Sequence, residues 1–411
     1  MPRIASFIAI IALGLAAAQP LHAAEEGAPA ITPLPLEFSA EGLSGPGAVP
    51  LREALPDAQF VSIGEDHGFA AAPLLVAAFA AEGRRHGFAN YVIEVGPYSL
   101  EWMEEHLRAG GADALAAALK GRPLAIPFLS YREEAEVAAD FVAAGGALWA
   151  VDQEFLASPL IHLEWFAARA EDAPSLDMLV EAEREAFAKG DQRSVFMANA
   201  GPELWAELRE IFAGDDEALG RIDALQRSQA IYMANFTGRL LDNNLDRVAL
   251  IRELFLARYR QAQEADGAPP KAILKMGATH AGRATSPVLT FDLGSLVEGI
   301  AAANGMEALH VVYLPLGGEQ RAILPTPDGP FMVKPATGGD ELAGVLEEAG
   351  VDLAPVRAGQ GHYLIDLEQV RRALGAKRIA QADEMVRFIV LGFDWLVTSG
   401  DAAPATPLVA E

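Results

Sequence analysis

The 411-residue chain contains no cysteine. That absence excludes disulfides, a lipoprotein-type anchor, thiolate metal ligands and a cysteine nucleophile. Basic residues are scarce as well: 31 Lys and Arg stand against 57 Asp and Glu, a formal charge of −26. Phosphate binding needs clustered Lys and Arg, so the missing basic stripe argues against nucleic acid as a partner. The acidic balance also disfavours anionic membranes. Beyond the N-terminus no run is apolar enough for a transmembrane helix. There is no P-loop, no dinucleotide fingerprint after the first strand, no Gly-x-Ser-x-Gly elbow and no His-Glu-x-x-His helix. What remains is chemistry built from His, Glu and Asp.

Hydrophobic residues make up 51% of the chain, ample for a large core. Arg3, the apolar stretch Ile4 to Ala18 and Leu21-His22-Ala23 resemble a Sec-type signal peptide over residues 1–23, cleaved near Ala23. A periplasmic or secreted protein is therefore expected. Residues 24–50 are rich in Pro, Gly and Ala and read as a flexible N-terminal segment. Residues 51–157 alternate short apolar runs with helical stretches, the pattern of a mainly parallel sheet flanked by helices in an α/β core. Residues 158–265 carry Glu, Arg, Ala and Leu at helical spacing and read as an inserted all-helical subdomain. The core resumes over 266–398, with strand candidates at His310 to Leu314, His362 to Ile365 and Arg387 to Leu391, and 399–411 reads as a disordered tail.

Four apolar runs each end on ionisable residues. Phe60-Val61-Ser62-Ile63 leads into Gly64-Glu65-Asp66-His67-Gly68, Tyr91-Val92-Ile93 into Glu94, Ala147 to Val151 into Asp152, and Ala272 to Met276 into Gly277-Ala278-Thr279-His280. Parallel pairing would bring all four carboxyl ends to one edge of the sheet, where open α/β folds bind ligands. His67 sits between two glycines that let the loop turn sharply. Glu94, flanked by apolar residues, would be desolvated and needs a partner such as a metal, a histidine or an arginine. Glu65, His67, Glu94 and His280 are the candidate catalytic residues, with Asp66, Asp152 and Arg283 behind them. Two mechanisms stay open: a histidine acting as general base on water beside a carboxylate, or a divalent metal held by the same four residues.

From Gly64 to Glu94, and again at Tyr131 to Gly145, Val151-Asp152-Gln153, Gly277-Ala278-Thr279-His280 and Leu391-Gly392-Phe393-Asp394, the chain resembles the erythromycin esterase, ChaN and Tiki superfamily. The resemblance implies a catalytic or metal-binding role for His67, acidic site roles for Glu65 and Glu94, and a late site histidine at His280. Its members include esterases that open macrolide lactones, metal-dependent proteases and haem-iron binders. Only Asp66 separates Glu65 from His67, as in the ChaN and Tiki branches, and Gly277 stands where the esterases carry a histidine. Those departures weigh against macrolide hydrolysis and toward a metal-assisted site. The expectation is thus an exported hydrolase acting on an ester or peptide bond of a small-molecule or peptide substrate. The alternative is a periplasmic haem or iron binder without turnover.

Overall fold

Among the described residues eleven strands form: β1 Leu34–Ser39, β2 Gly42–Ser44, β3 Ala58–Glu65, β4 Phe88–Ile93, β5 Ala147–Ala150, β6 Lys271–Gly277, β7 Glu307–Tyr313, β8 Glu319–Thr326, β9 Gly329–Pro335, β10 His362–Asp366 and β11 Trp395–Thr398. This computed structural model describes residues 30–122, 124–170, 172–189, 194–326, 329–336, 339–359 and 361–409. The expected signal segment, 1–23, lies outside the described residues. Nine strands make one sheet in the order β2-β1-β10-β11-β7-β3-β6-β4-β5, and β8 and β9 form a separate hairpin. The six strands from β11 to β5 run parallel. β10, β1 and β2 extend that sheet by antiparallel pairing.

Central β3 is buried along its whole length, its polar Gln59, Ser62 and Glu65 included. Its side chains alternate between the faces of the sheet. Val61 and Ile63 pack with Leu75, Val76 and Phe79 of helix Ala71–Gly83. Phe60 packs on the other face with Ile251, Phe255 and Tyr259 of helix Leu240–Asp266. Parallel strands joined by covering helices account for the α/β architecture. Among the described residues no helix is long and apolar enough to cross a membrane.

Between β5 and β6 the described chain is helical: Pro159–Arg169, Pro174–Ala188, Phe196–Asn199, Pro202–Ile211, Asp216–Phe236 and Leu240–Asp266. The helices up to Asp216–Phe236 share a core of their own, including Phe166, Trp205, Leu208 and Leu225. The last helix, by contrast, lays its second half on the sheet.

Three expectations need correcting. The described part of 24–50 holds two paired strands and the start of helix Ala48–Ala54, because Leu36 and Leu43 reach the main core. Arg387 to Leu391 is not a strand but part of helix Glu384–Gly392: Val386, Ile389, Val390 and Phe393 recur at helical spacing, and Asp383 caps the helix by accepting from Met385 N at 2.8 Å. The strand of that region is β11, just beyond. Residues 399–409 are ordered against the core. Leu408 is buried, and the segment bridges Phe69 through Pro404 and Tyr131 through Pro407.

Candidate active site

Because β3, β4, β5 and β6 are parallel and in register, their ends fall side by side. Glu65 pairs with Gly277, and Ile93 with both Ala150 and Lys275. At that edge a cavity of about 650 Å³ opens, lined by Glu65, Asp66, His67, Glu94, Asp152, Arg247, Gly277 and His280 among others.

His67 and Glu65 form a pair, with His67 Nδ1 2.8 Å from Glu65 Oε1. An ionised Glu65 accepts from Nδ1–H, which leaves Nε2 as the proton acceptor. The imidazole stacks on Phe128 with ring centres 3.7 Å apart, and Gln320 donates to the His67 carbonyl at 2.7 Å. Gly68 is obligatory: its φ is +98°, and a Cβ there would lie 2.0 Å from the Arg321 carbonyl oxygen. Beneath the pair, the Lys275 ammonium bridges Glu65 Oε1 and Glu134 Oε1, the latter at 2.5 Å, with all three side chains buried. Burial pushes the Glu65 carboxyl up, but Lys275 and His67 outweigh it and hold the group below its ordinary value. Burial pushes His67 down; Glu65 and Glu94 outweigh that, so the imidazole is more basic than usual. Glu134 is different. Desolvation, with the nearby Glu65 charge, overrides Lys275 and raises its carboxyl to about 7.

A second pair faces the first. His280 Nδ1 lies 2.7 Å from Asp292 Oδ2, while Asp292 Oδ1 caps helix Leu293–Ala303 by accepting from Leu293 N at 2.7 Å. Burial and the Arg247 cation lower the His280 imidazole; Asp292 and Glu94 outweigh both and raise it. Glu94 sits between the two pairs. Its Oε2 is 3.5 Å from His67 Nε2, and its Oε1 is 3.8 Å from His280 Nε2. Gly277 N donates to Oε2 at 2.8 Å and Arg247 Nη2 to Oε1 at 2.6 Å. Arg247 also grips Asp152, from Nε at 3.0 Å and Nη2 at 2.6 Å. Burial would raise the Glu94 carboxyl, yet His67, His280 and Arg247, with the Gly277 N–H, bring it to about 2.

Glu65, His67, Glu94, His280, Asp66 and Asp152 therefore line one cavity, with Asp66 exposed at its wall. Arg283 does not join them. It pairs with Asp394 at 2.5 Å and approaches Glu298 at 4.0 Å. The four-residue metal set is not assembled in this geometry: among the described residues no three His, Asp or Glu are disposed to hold an ion. The carboxylates are already engaged, Glu65 by Lys275 and Glu94 by Arg247. Two cations thus stand beside the oxygens that a divalent ion would need, and of the Glu65 and Glu94 carboxylate oxygens only Glu65 Oε2 is buried without a partner among the described residues. The donor set does not fit a metal.

Four working residues escaped the sequence reading: Arg247, Asp292, Lys275 and Glu134. Lys275 did leave a signal, since a lysine inside a buried parallel strand must find an anion. So did Asp292, placed as an N-cap before an apolar helical run.

The fold is that of erythromycin esterase. The chain superposes on a mutant of the erythromycin esterase EreC in its open conformation with a TM-score of 0.54 at 16% identity, covering 87% of this chain and 94% of that one. A Bacillus cereus protein matches with a TM-score of 0.50 at 13% identity, covering 91% and 96%. A succinoglycan biosynthesis protein matches with a TM-score of 0.50 at 12% identity, covering 91% and 95%. No protein-family profile matches the chain, and no curated protein matches its sequence.

Proposed function

We propose that the protein is an exported hydrolase that cleaves an ester or peptide bond with His67 as general base. The observation that carries this reading is the Glu65–His67 pair: Nδ1 is held at 2.8 Å by a buried carboxylate while the ring, about a quarter exposed, borders the cavity. Water attacks the carbonyl carbon and gives a proton to His67 Nε2. The tetrahedral intermediate collapses, and the same proton passes to the departing alkoxide or amine. Glu65 fixes the tautomer and balances the imidazolium. His280, held as the imidazolium by Asp292 and Glu94, gives Nδ1–H to Asp292 and donates from Nε2–H toward the developing oxyanion. Glu94 keeps both imidazoles basic, and Arg247 holds Glu94 in place between them.

The test is hydrolysis of p-nitrophenyl esters and fluorogenic peptides by the full chain, with and without EDTA, beside His67→Ala. Turnover should fall by roughly 10²–10⁴ in the variant, with an unchanged melting profile and no effect of chelator. Retained turnover in His67→Ala would overturn the reading. Loss of activity in EDTA restored by a divalent metal would favour metal-assisted chemistry instead. A sharp Soret band on adding haemin, without turnover, would favour haem binding.

A further inference from the structure

The cavity has two unlike halves, and they follow the order of strands in the sheet. On the side of β3, β6, β4 and β5 it is walled by the histidines and carboxylates already described. On the side of β7 it is apolar. Tyr313 pairs with Glu65 in register, so Leu314, one residue past β7, emerges beside the loop that carries His67. Helix Gly339–Glu348 contributes Leu342, and helix Glu384–Gly392 contributes Met385, Val386 and Ile389. His67 stands at the border between the halves, its ring covered by Phe128, which also lines the cavity.

Two further facts narrow what such a cavity accepts. Four carboxylates line it (Glu65, Asp66, Glu94 and Asp152) against one guanidinium, Arg247, which is already shared between two of them. An anionic substrate would be repelled. The apolar wall also reaches solvent, because Met385 both lines the cavity and is 42% exposed. A chain laid along that wall has an exit, so its length is not capped by a closed end.

Resting on the hydrolase reading, we propose that the substrate is an uncharged or cationic ester with an extended apolar acyl group. The acyl chain lies along Leu314, Leu342, Met385, Val386 and Ile389, with the carbonyl at His67 and the polar alcohol portion among Glu94, Asp152 and Arg247. Each methylene buried along the wall is worth about fourfold in kcat/KM at full burial.

The experiment compares p-nitrophenyl acetate, butyrate, octanoate and laurate with the full chain, and repeats the series with Met385→Glu. The expected result is kcat/KM rising at least twofold per methylene up to octanoate. The laurate-to-butyrate ratio should fall tenfold or more in Met385→Glu, which places a charge where the wall meets solvent. In parallel, methyl n-alkyl ketones of increasing length, neutral and not hydrolysable, are titrated calorimetrically into His67→Ala protein. Hydrolysis with no dependence on acyl length, together with ketone binding indifferent to length, overturns this proposal and leaves the hydrolase reading standing. No ester hydrolysis, but ketone affinity that rises with length and drops in Met385→Glu, upholds the apolar subsite and removes the ester-hydrolase reading. Dependence on the alcohol's chain rather than the acyl chain overturns the assigned orientation.

Discussion

Replacing Glu94 by Gln removes one charge from the middle of the site and has two separable consequences. The carboxyl, ordinarily near 4.5, is held at about 2, which corresponds to about 3 kcal/mol of stability at neutral pH. The sign follows from the direction. The folded value lies below the unfolded one, so this contribution is fully present above pH 4.5 and is lost as pH falls toward 2. Glu94→Gln should therefore lose about 3 kcal/mol at pH 7 by urea unfolding, and the gap from the parent should close on acidification. The second consequence is catalytic. Glu94 helps to raise His67, so the parent's kcat/KM should climb with pH to a half-maximum above 6.5, and the variant's half-maximum should move to lower pH. A histidine-selective NMR titration reads the same displacement without turnover. Equal stability loss at pH 7 and pH 3, or an unmoved His67 titration, would refute the assignment of Glu94 as the shared counter-charge.

Gly277→Ala should cut kcat about tenfold while leaving the melting temperature nearly unchanged, since a Cβ there would sit 3.1 Å from His67 Nε2 and 3.7 Å from Glu94 Oε2 and displace the imidazole by a few tenths of an ångström; steady-state kinetics beside a thermal melt checks it. Lys275→Met should destabilise by about 3–5 kcal/mol in urea unfolding, because Glu65 and Glu134 would face each other buried without their cation, and adding Glu134→Gln should recover part of that loss. Ending the chain after Gly400 should lower both stability and kcat. Ala405 N donates to Gly68 O at 2.8 Å and Leu408 N to Ser130 O at 2.7 Å, so the tail braces the loop of His67 and the turn that carries Phe128. Unfolding midpoints and ester turnover of the truncated protein decide it.

The core of this site was legible because β-strand ends in a parallel sheet are a strong positional code. Gly64 to Gly68, Glu94, Asp152 and Gly277 to His280 each follow an apolar run directly, and parallel pairing suffices to gather them. Arg247 was not legible in that way. It lies inside a 27-residue helix among other charged residues, and only the packing of that helix across the sheet turns it toward Glu94. The hairpin of β8 and β9 and the strands β1 and β2 were missed for a related reason. β1 is placed by the distant β10, and in all four strands the Pro and Gly read as loop although β1 pairs with β2 and β8 with β9 as neighbours in the chain. Residues 399–409 show the same override, rich in Pro and Ala in sequence yet tied by backbone hydrogen bonds to two site loops.

The distribution of charge explains how so many acids can coexist at the edge of a buried sheet. Glu65, Glu94, Glu134, Asp152 and Asp292 are all nearly inaccessible, and bare carboxylates there would be costly. Each has a cation or a histidine within reach: Lys275 between Glu65 and Glu134, Arg247 between Glu94 and Asp152, His280 on Asp292. Two fixed cations thus occupy the electrostatic role that a divalent ion would otherwise fill. Neither cation pairs with His67, whose ring nitrogens face Glu65 and Glu94 instead. The consequence is a division of labour by residue type. Lys275 and Arg247, whose own groups are driven further toward the charged form, cannot exchange protons near neutrality, whereas His67 and His280 can. The proposed transfer of one proton between water and a leaving group needs that separation between groups that hold charge and groups that carry protons.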